Sequence, residues 1–406
     1  MKLAFVVQRY GLEVAGGAER HCREFAERLV ERGHEVTVLT NCARSYVDWS
    51  DDYEPGDSVV NGVTVRRLRV VRPRDAVVFD DLNARVAWGR PPVASFIQRE
   101  WMRQQGPEMD GYEGALLDLA RSHDVVIFFT YLYSTTFTGL LLLAGRVPTV
   151  LHPTLHDEAP AYASIYRQMF RMPTLFALST PEEVELVERI YGVRPRHRVI
   201  GVGVDLAIEG QPDRFRKQYA LTTEPYLLYV GRLDPGKGSD ELFDFFAAYK
   251  IRRPGPLKLV VLGDPIKALP AHPDVIVTGF VDDEVRNDAL LGAQAFVQPS
   301  YFESFSMVVS EALSAGLPVL VQAHCEVLAG HVARSGAGFA YRGYAEFETA
   351  VDILLAHPEL VAEFGRRGRA YVEREYAWET VMDRYESALS EAFDLGAEIN
   401  VESAVR

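Results

Sequence analysis

Cysteine is scarce. The 406 residues hold three, Cys22, Cys42 and Cys325, widely spaced and with no Cys-x-x-Cys among them. That spacing speaks against a disulfide framework or a cysteine-built zinc site and fits a reducing compartment. Positive charge is also short, with 43 Lys and Arg against 57 Asp and Glu, a formal net charge of −14. This balance argues against nucleic-acid binding and against bulk attraction to anionic lipid. The ten histidines show no convincing metal-ligand spacing with the acids. The glycine fingerprint G-x-G-x-x-G is missing after the first apolar run, which disfavours a nicotinamide oxidoreductase. There is no internal repeat and no low-complexity tract.

Long uncharged runs are limited to one. Val125 to Gly145 carries no charge and is long enough to span a bilayer. Its centre, TYLYSTTFTG, is crowded with hydroxyls and closed by glycine, which suits hydrocarbon poorly. The better reading is a buried strand, a polar loop and an apolar helix. The opening run MKLAFVVQRYG is too short for a signal peptide and reads as a strand.

What is present is ordinary globular composition, 48% apolar and 25% charged, in a chain too long for one core. Apolar runs such as LAFVV, EVTVLT, VVIFF, VPTVL and TLFAL alternate with helical patterns. In the first of these helices Cys22, Phe25 and Leu29 recur at helical spacing. Thr180 and Pro181, with Glu182-Glu183 after them, form a helix start with a capping box. A second strand-helix series begins after HRVIGVGVD, with YLLYVGR, LKLVVLG, VIVTGF, AFVQ and LPVLVQ as strands. The expected fold class is therefore α/β, with doubly wound parallel sheets in two domains, 1–203 and 204–375. The remaining 376–406 read as a docking helix with an apolar stripe of Trp378, Val381, Met382, Tyr385, Leu389 and Phe393, followed by a polar, frayed tail.

Four places carry chemistry. In YLLYVGRLDPGKGSDELF an apolar strand ends at Gly231-Arg232. A loop of Asp234, Pro235, Gly236, Lys237 and Gly238 then leads into a helix. Ligands of parallel sheets bind beyond the carboxyl ends of strands, where Arg232 and Lys237 can converge on a diphosphate. The loop is not of the Walker kind. In VQPSYFESFSMVVSEALSAGLPVLV, Glu303 precedes a helix and Glu311 lies inside it. The amides of Phe305, Ser306, Met307 and Val308 sit at that helix start, where an anion is favoured. A half-buried Glu311 needs donors, and a ribose diol offers two. Gly16-Gly17 opens the first helix. His156, in VLHPTLHDEAP, is either functional or a loop histidine bonded to Asp157; His152 reads as structural. The basic run Arg66, Arg67, Arg69, Arg72 and Arg74 reads as a charged strand edge.

Together these motifs resemble glycosyltransferase family 4, the retaining, nucleotide-sugar-dependent enzymes of GT-B fold. The matching pieces are Gly16-Gly17-Ala18-Glu19-Arg20, Gly231-Arg232 with Lys237-Gly238, the spaced pair Glu303 and Glu311, and Ala315-Gly316-Leu317-Pro318. The resemblance implies two Rossmann-like domains facing each other across a cleft, with the C-terminal helix returning to the first. It implies that Arg232 and Lys237 hold the donor diphosphate, Glu311 the ribose and Glu303 the sugar hydroxyls. Ser304, Phe305, Ser306, Met307 and Val308 would line phosphate or sugar, and backbone near Phe280 and Val281 would meet the base. Gly16 and Gly17 would approach the donor, and His156 would contact its sugar. The family often has Gly where Ser306 stands.

The implied reaction moves a sugar from a UDP- or GDP-linked donor to a glycan, lipid-linked or small-molecule hydroxyl, keeping the anomeric configuration, without a cofactor and with no metal strictly required. A nucleotide-sugar 2-epimerase of the same architecture and a non-catalytic sugar-nucleotide-binding protein are the alternatives. The expected partners are the donor and its acceptor, with no nucleic acid. The expected location is cytoplasmic, with peripheral contact at the inner membrane face left open. Tyr131, Tyr133 and the hydroxyls of Ser134 to Thr136 are acceptor-side candidates.

Overall fold

A computed structural model describes residues 1–14, 16–88, 93–192, 194–233, 235–265 and 271–404, with backbone alone for 87–88, 235 and 398–404. Asp234 of the cationic loop therefore lies outside the described residues. The chain divides into two units, Met1–Gly201 with Met382–Arg406, and Val202–Val381.

In the first unit the strands are β1 (Lys2–Val6), β2 (Glu35–Asn41), β3 (Gly56–Val60), β4 (Val63–Leu68), β5 (Val70–Arg72), β6 (Glu108–Met109), β7 (Val125–Phe129), β8 (Thr149–His152), β9 (Leu175–Leu178) and β10 (His197–Val199). Eight of them form one sheet in the order β10-β9-β8-β7-β1-β2-β4-β3. It is parallel except for β3, which runs antiparallel to β4. The central strands are apolar on both faces because helices cover both sides; every residue of β7 is buried. Those helices are α1 (Gly17–Glu31), α2 (Ala76–Trp88), α3 (Ser95–Gln105), α4 (Tyr112–Ser122), α5 (Ser134–Leu143), α6 (Tyr166–Met169) and α7 (Pro181–Tyr191). α1 buries Cys22, Phe25 and Leu29. α7 is capped as its sequence demands, the Thr180 hydroxyl accepting from the Glu183 amide at 3.2 Å. The uncharged run 125–145 resolves into β7, a turn and α5. Among the described residues no helix is long and apolar enough to cross a membrane.

In the second unit all six strands are parallel: β11 (Tyr226–Val230), β12 (Lys258–Leu262), β13 (Val275–Val277), β14 (Ala295–Gln298), β15 (Val319–Gln322) and β16 (Gly338–Tyr341). Their order is β13-β12-β11-β14-β15-β16. In chain order this reads 3-2-1-4-5-6, the doubly wound arrangement whose direction reverses between its first and fourth strands. The helices are α8 (Pro212–Gln218), α9 (Ser239–Arg252), α10 (Asp283–Gly292), α11 (Met307–Ser314), α12 (Glu326–Ser335), α13 (Tyr344–Ala356) and α14 (Pro358–Tyr376). A last helix, α15 (Trp378–Ala404), begins in this unit and continues in the first from Met382.

Three expectations need correction. The tail continues α15 as far as Ala404, with 405 and 406 outside the described residues. Its stripe buries Val381, Met382, Tyr385 and Leu389, but Phe393 is exposed and Ala388 and Ala392 are buried instead. The basic run is no bare edge, since β3 covers β4. Arg66 makes two bonds to Asp57, Arg67 is buried against Ser58 and the Tyr10 carbonyl, and Arg74 holds the Gln104 and Gln105 carbonyls.

Candidate functional site

The second unit concentrates its chemistry where its sheet reverses direction. β11 and β14 are neighbours and parallel, so the loops leaving them emerge at the same end. Gly231, at φ +150°, leaves β11, and its carbonyl lies so close to Gly263 that a Cβ there would stand 2.0 Å from it. Arg232 follows, exposed, its carbonyl accepting from the Tyr229 hydroxyl at 2.9 Å. Lys237 ends a short helical turn, and Gly238 (φ +70°) turns the chain into α9. A side chain at Gly238 would strike the Pro299 carbonyl, so only glycine fits the close approach of the two loops.

The loops meet through side chains. Lys237 Nζ lies 2.8 Å from Glu303 Oε1 and 3.5 Å from the Phe302 carbonyl. The Glu303 side chain is 10% exposed and that of Lys237 35%, so the carboxylate is the better sheltered partner. Ser306 caps α11 at φ +70°, in the left-handed region where a side chain is strained. Glycine would adopt that conformation without strain. Ser304, Phe305 and Ser306 form the loop into α11, and Met307 and Val308 begin its first turn, where amides lack intrahelical acceptors. Glu311 lies nearly buried one turn on, 4.0 Å from the Arg286 guanidinium. The donor it needs is thus already partly supplied by protein. Phe280 projects beyond β13, 82% exposed, with its amide held by Asp264 at 3.1 Å; Val281 is half-buried.

The first unit holds the other candidates at the same kind of place. β1 and β7 flank the reversal of its sheet. Gly16 and Gly17 stand exposed after β1, at the start of α1. Gly16 has φ +155°, and a Cβ there would meet Glu19 Oε2 at 2.1 Å. Glu19 accepts from Gln8 at 2.9 Å and lies 2.5 Å from Arg9, both partners being buried. Gly16 is therefore required by this ion pair, whereas a Cβ on Gly17 would meet nothing.

His156 follows β8, partly exposed, with Nδ1 3.7 Å from Glu158. Its expected alternative partner is otherwise engaged, as Asp157 takes Arg189 at 2.8 Å and the Tyr162 hydroxyl at 2.6 Å. His152 is structural, stacked on Phe129 and 3.0 Å from the Tyr385 hydroxyl. The acceptor-side candidates mostly serve the fold. Tyr131 is buried and bonds Glu158, Ser134 bonds the Pro107 carbonyl, Thr136 bonds Phe129, and Thr135 is buried. Only Tyr133, half-buried edge-on to Trp49, retains solvent contact without such a bond.

Two buried residues have roles that the sequence reading did not give. His331 packs beneath the Glu303 loop, Nε2 2.8 Å from the Phe305 carbonyl and Nδ1 3.1 Å from the Tyr371 hydroxyl. Burial drives its pKa down to about 3, so the ring is neutral and donates to the carbonyl. Glu183 is the second. It accepts from the Leu155 and Ser179 amides, each at 2.7 Å, and so anchors the loop carrying His156. Burial lifts its carboxyl from 4.5 to about 7 in spite of those bonds. A raised acid holds its proton better folded than unfolded. Stability therefore falls as pH climbs from 4.5 to 7, and the loss levels off above. Glu183→Gln is expected to flatten the dependence of Tm on pH in that window. An unchanged slope refutes the assignment.

Residues 16–203 match the family described as Glycosyl transferase 4-like domain, and residues 211–371 that described as Glycosyl transferases group 1. A D-inositol 3-phosphate glycosyltransferase of Nocardia farcinica is 26% identical, over 93% of this chain and 86% of the relative. A glycogen synthase of Mycobacterium tuberculosis is 27% identical, over 94% and 92%. Among solved structures, sucrose-phosphate synthase from Thermosynechococcus elongatus superposes with a TM-score of 0.70 at 18% identity, over 97% of this chain and 99% of that one. Anabaena Alr3699/HepE in complex with UDP-glucose gives 0.67 at 16%, over 96% and 100%. The chain is thus a transferase enzyme and belongs to the group 1 glycosyltransferases of GT-B fold.

Proposed function

We propose that the chain moves a sugar from a UDP- or GDP-linked donor to a hydroxyl of a glycan, glycolipid or small-molecule glycoside, with retention at the anomeric carbon. One observation carries the reading: the loops leaving β11 and β14 meet at the sheet's reversal through Lys237 and Glu303 at 2.8 Å. Cleavage of the anomeric C–O bond leaves its electron pair on the phosphate. Arg232, the remaining donors of Lys237 and the amides of Met307 and Val308 oppose that charge in a fixed arrangement. Glu303 accepts from sugar hydroxyls. Glu311 accepts from the ribose, and the backbone around Phe280 and Val281 meets the base. The neutralising charges assigned here are protein cations and amides, so turnover is expected to survive a chelator. None of the three cysteines is in a disulfide. That supports the cytoplasm as the location.

The test is thermal stabilisation by UDP and GDP, followed by NMR of the product's anomeric proton. A ligand at a hundred times its Kd adds about 2.7 kcal/mol. Absence of any shift with either diphosphate sinks the donor assignment. An inverted product sinks retention, and turnover of the donor without acceptor favours the epimerase.

A further inference from the structure

The last residue of β14 breaks that strand's apolar pattern. Gln298 closes the run AFVQ and is only 3% exposed. Its amide nitrogen reaches two groups, Glu303 Oε1 at 3.3 Å and Ser306 Oγ at 3.4 Å. Lys237 occupies the same Glu303 oxygen at 2.8 Å. Oε1 is thus held by a cation and an amide together. Among the described residues no donor reaches Oε2. The amide cannot be reversed without setting its carbonyl against a carboxylate, so the orientation of Gln298 is fixed by its neighbour. Its own Oε1 is buried without a partner, an arrangement costly to keep unless the nitrogen's contacts repay it.

The geometry points to Gln298 as a positioning residue that sets the sugar selectivity of the transfer site. It pins Glu303 Oε1 to the protein and leaves Oε2 as the oxygen for a donor-sugar hydroxyl. It also ties the strained Ser306 to the same carboxylate, so the entry to α11 and the sugar-facing acid move as one. The inference rests on the donor reading above and assigns that reading its selective atom. A carboxylate with both oxygens loose would accept hydroxyls in several directions. One with a single oxygen free ranks donors by where one hydroxyl points.

The experiment compares, for wild type and Gln298→Leu, the affinity for the bare diphosphate with KM and kcat for donors differing in one sugar hydroxyl, such as UDP-glucose and UDP-galactose or their GDP counterparts. The variant is expected to keep its diphosphate affinity, to lose about tenfold or more in kcat/KM for the preferred sugar, and to narrow the gap between epimeric donors. Gln298→Glu guards against a folding defect. Glu303, which Gln298 meets, faces Lys237 at 2.8 Å and the Cys325 thiol, which burial and Glu303 push up to about 11. Two facing carboxylates share one cation there, so one keeps a proton at low pH and donates as the amide did. Its activity should recover toward acid pH, relative to wild type, and fall as pH rises. Unchanged donor ranking in Gln298→Leu, or an unshifted pH profile in Gln298→Glu, overturns the role while leaving diphosphate binding intact. If wild type binds no diphosphate, the donor reading fails and takes this inference with it.

Discussion

Lys237→Ala is expected to lower kcat by about 10²–10³-fold, the usual cost of removing one fixed donor from a developing anion. The ammonium occupies a narrow place. Gly238 behind it packs against the Pro299 carbonyl and cannot move aside, and Glu303 holds it from the front at 2.8 Å. Alanine removes the positive charge and also one of the two protein donors on Glu303, so sugar and leaving group lose support together. The fold should survive, because the lysine side chain is one-third exposed and fills no core. Initial rates of diphosphate release, with the melting temperature as control, decide the matter. Unchanged kcat together with an unchanged thermal shift by UDP or GDP removes Lys237 from the mechanism.

The second large effect is structural. Glu19→Ala takes the carboxylate from the Arg9 guanidinium, which is under 10% exposed, lies 2.5 Å from it and keeps a neutral acceptor in the Arg44 carbonyl. Breaking a buried pair from one side costs about 3–5 kcal/mol. In a unit of this size that corresponds to a fall of roughly 6–20 °C in the melting temperature of the first unit. Gln8 loses an acceptor in the same step, and through Gln8 so does the link to Thr130. Replacing both partners with apolar residues of similar volume, Arg9→Met with Glu19→Leu, should restore most of the loss. A single variant as stable as wild type shows that the pair is ornamental.

The second unit was the more legible half. Five of its six strands were legible as mostly apolar runs, because a parallel sheet covered on both faces leaves little polar alternation to misread; the edge strand β16, GFAY, was not. The loops with Lys237 and Glu303 were found because charged residues at the ends of such runs stand out. Less of the first unit could be read. β3 is exposed along nearly its whole length, so no buried face patterns it. α2 to α4 lie among mixed residues whose helicity depends on tertiary packing. Within the site, Gly16 and Glu311 were legible as ligand contacts from helix-start position and half-burial, before any resemblance. Structure adds a protein reason for each, a clash with Glu19 and a nearby Arg286. Gln298 did carry a signal, a polar residue at the end of an apolar strand. Glu183 was legible as an acid of the α7 helix start, but not as the anchor of the Leu155 amide 28 residues earlier, and His331 carried no signal, because its bond to the Phe305 carbonyl is long-range.

The closing stretch of α15 has a consequence for how the molecule is made. The Tyr385 hydroxyl lies 3.0 Å from His152, and its ring packs edge-on to Phe25 at 4.6 Å, inside the first unit's core. That core thus waits for residues encoded after the whole of the second unit. During synthesis the earlier half receives these partners only after the later half has been made, so the unit begun first is the last to be completed.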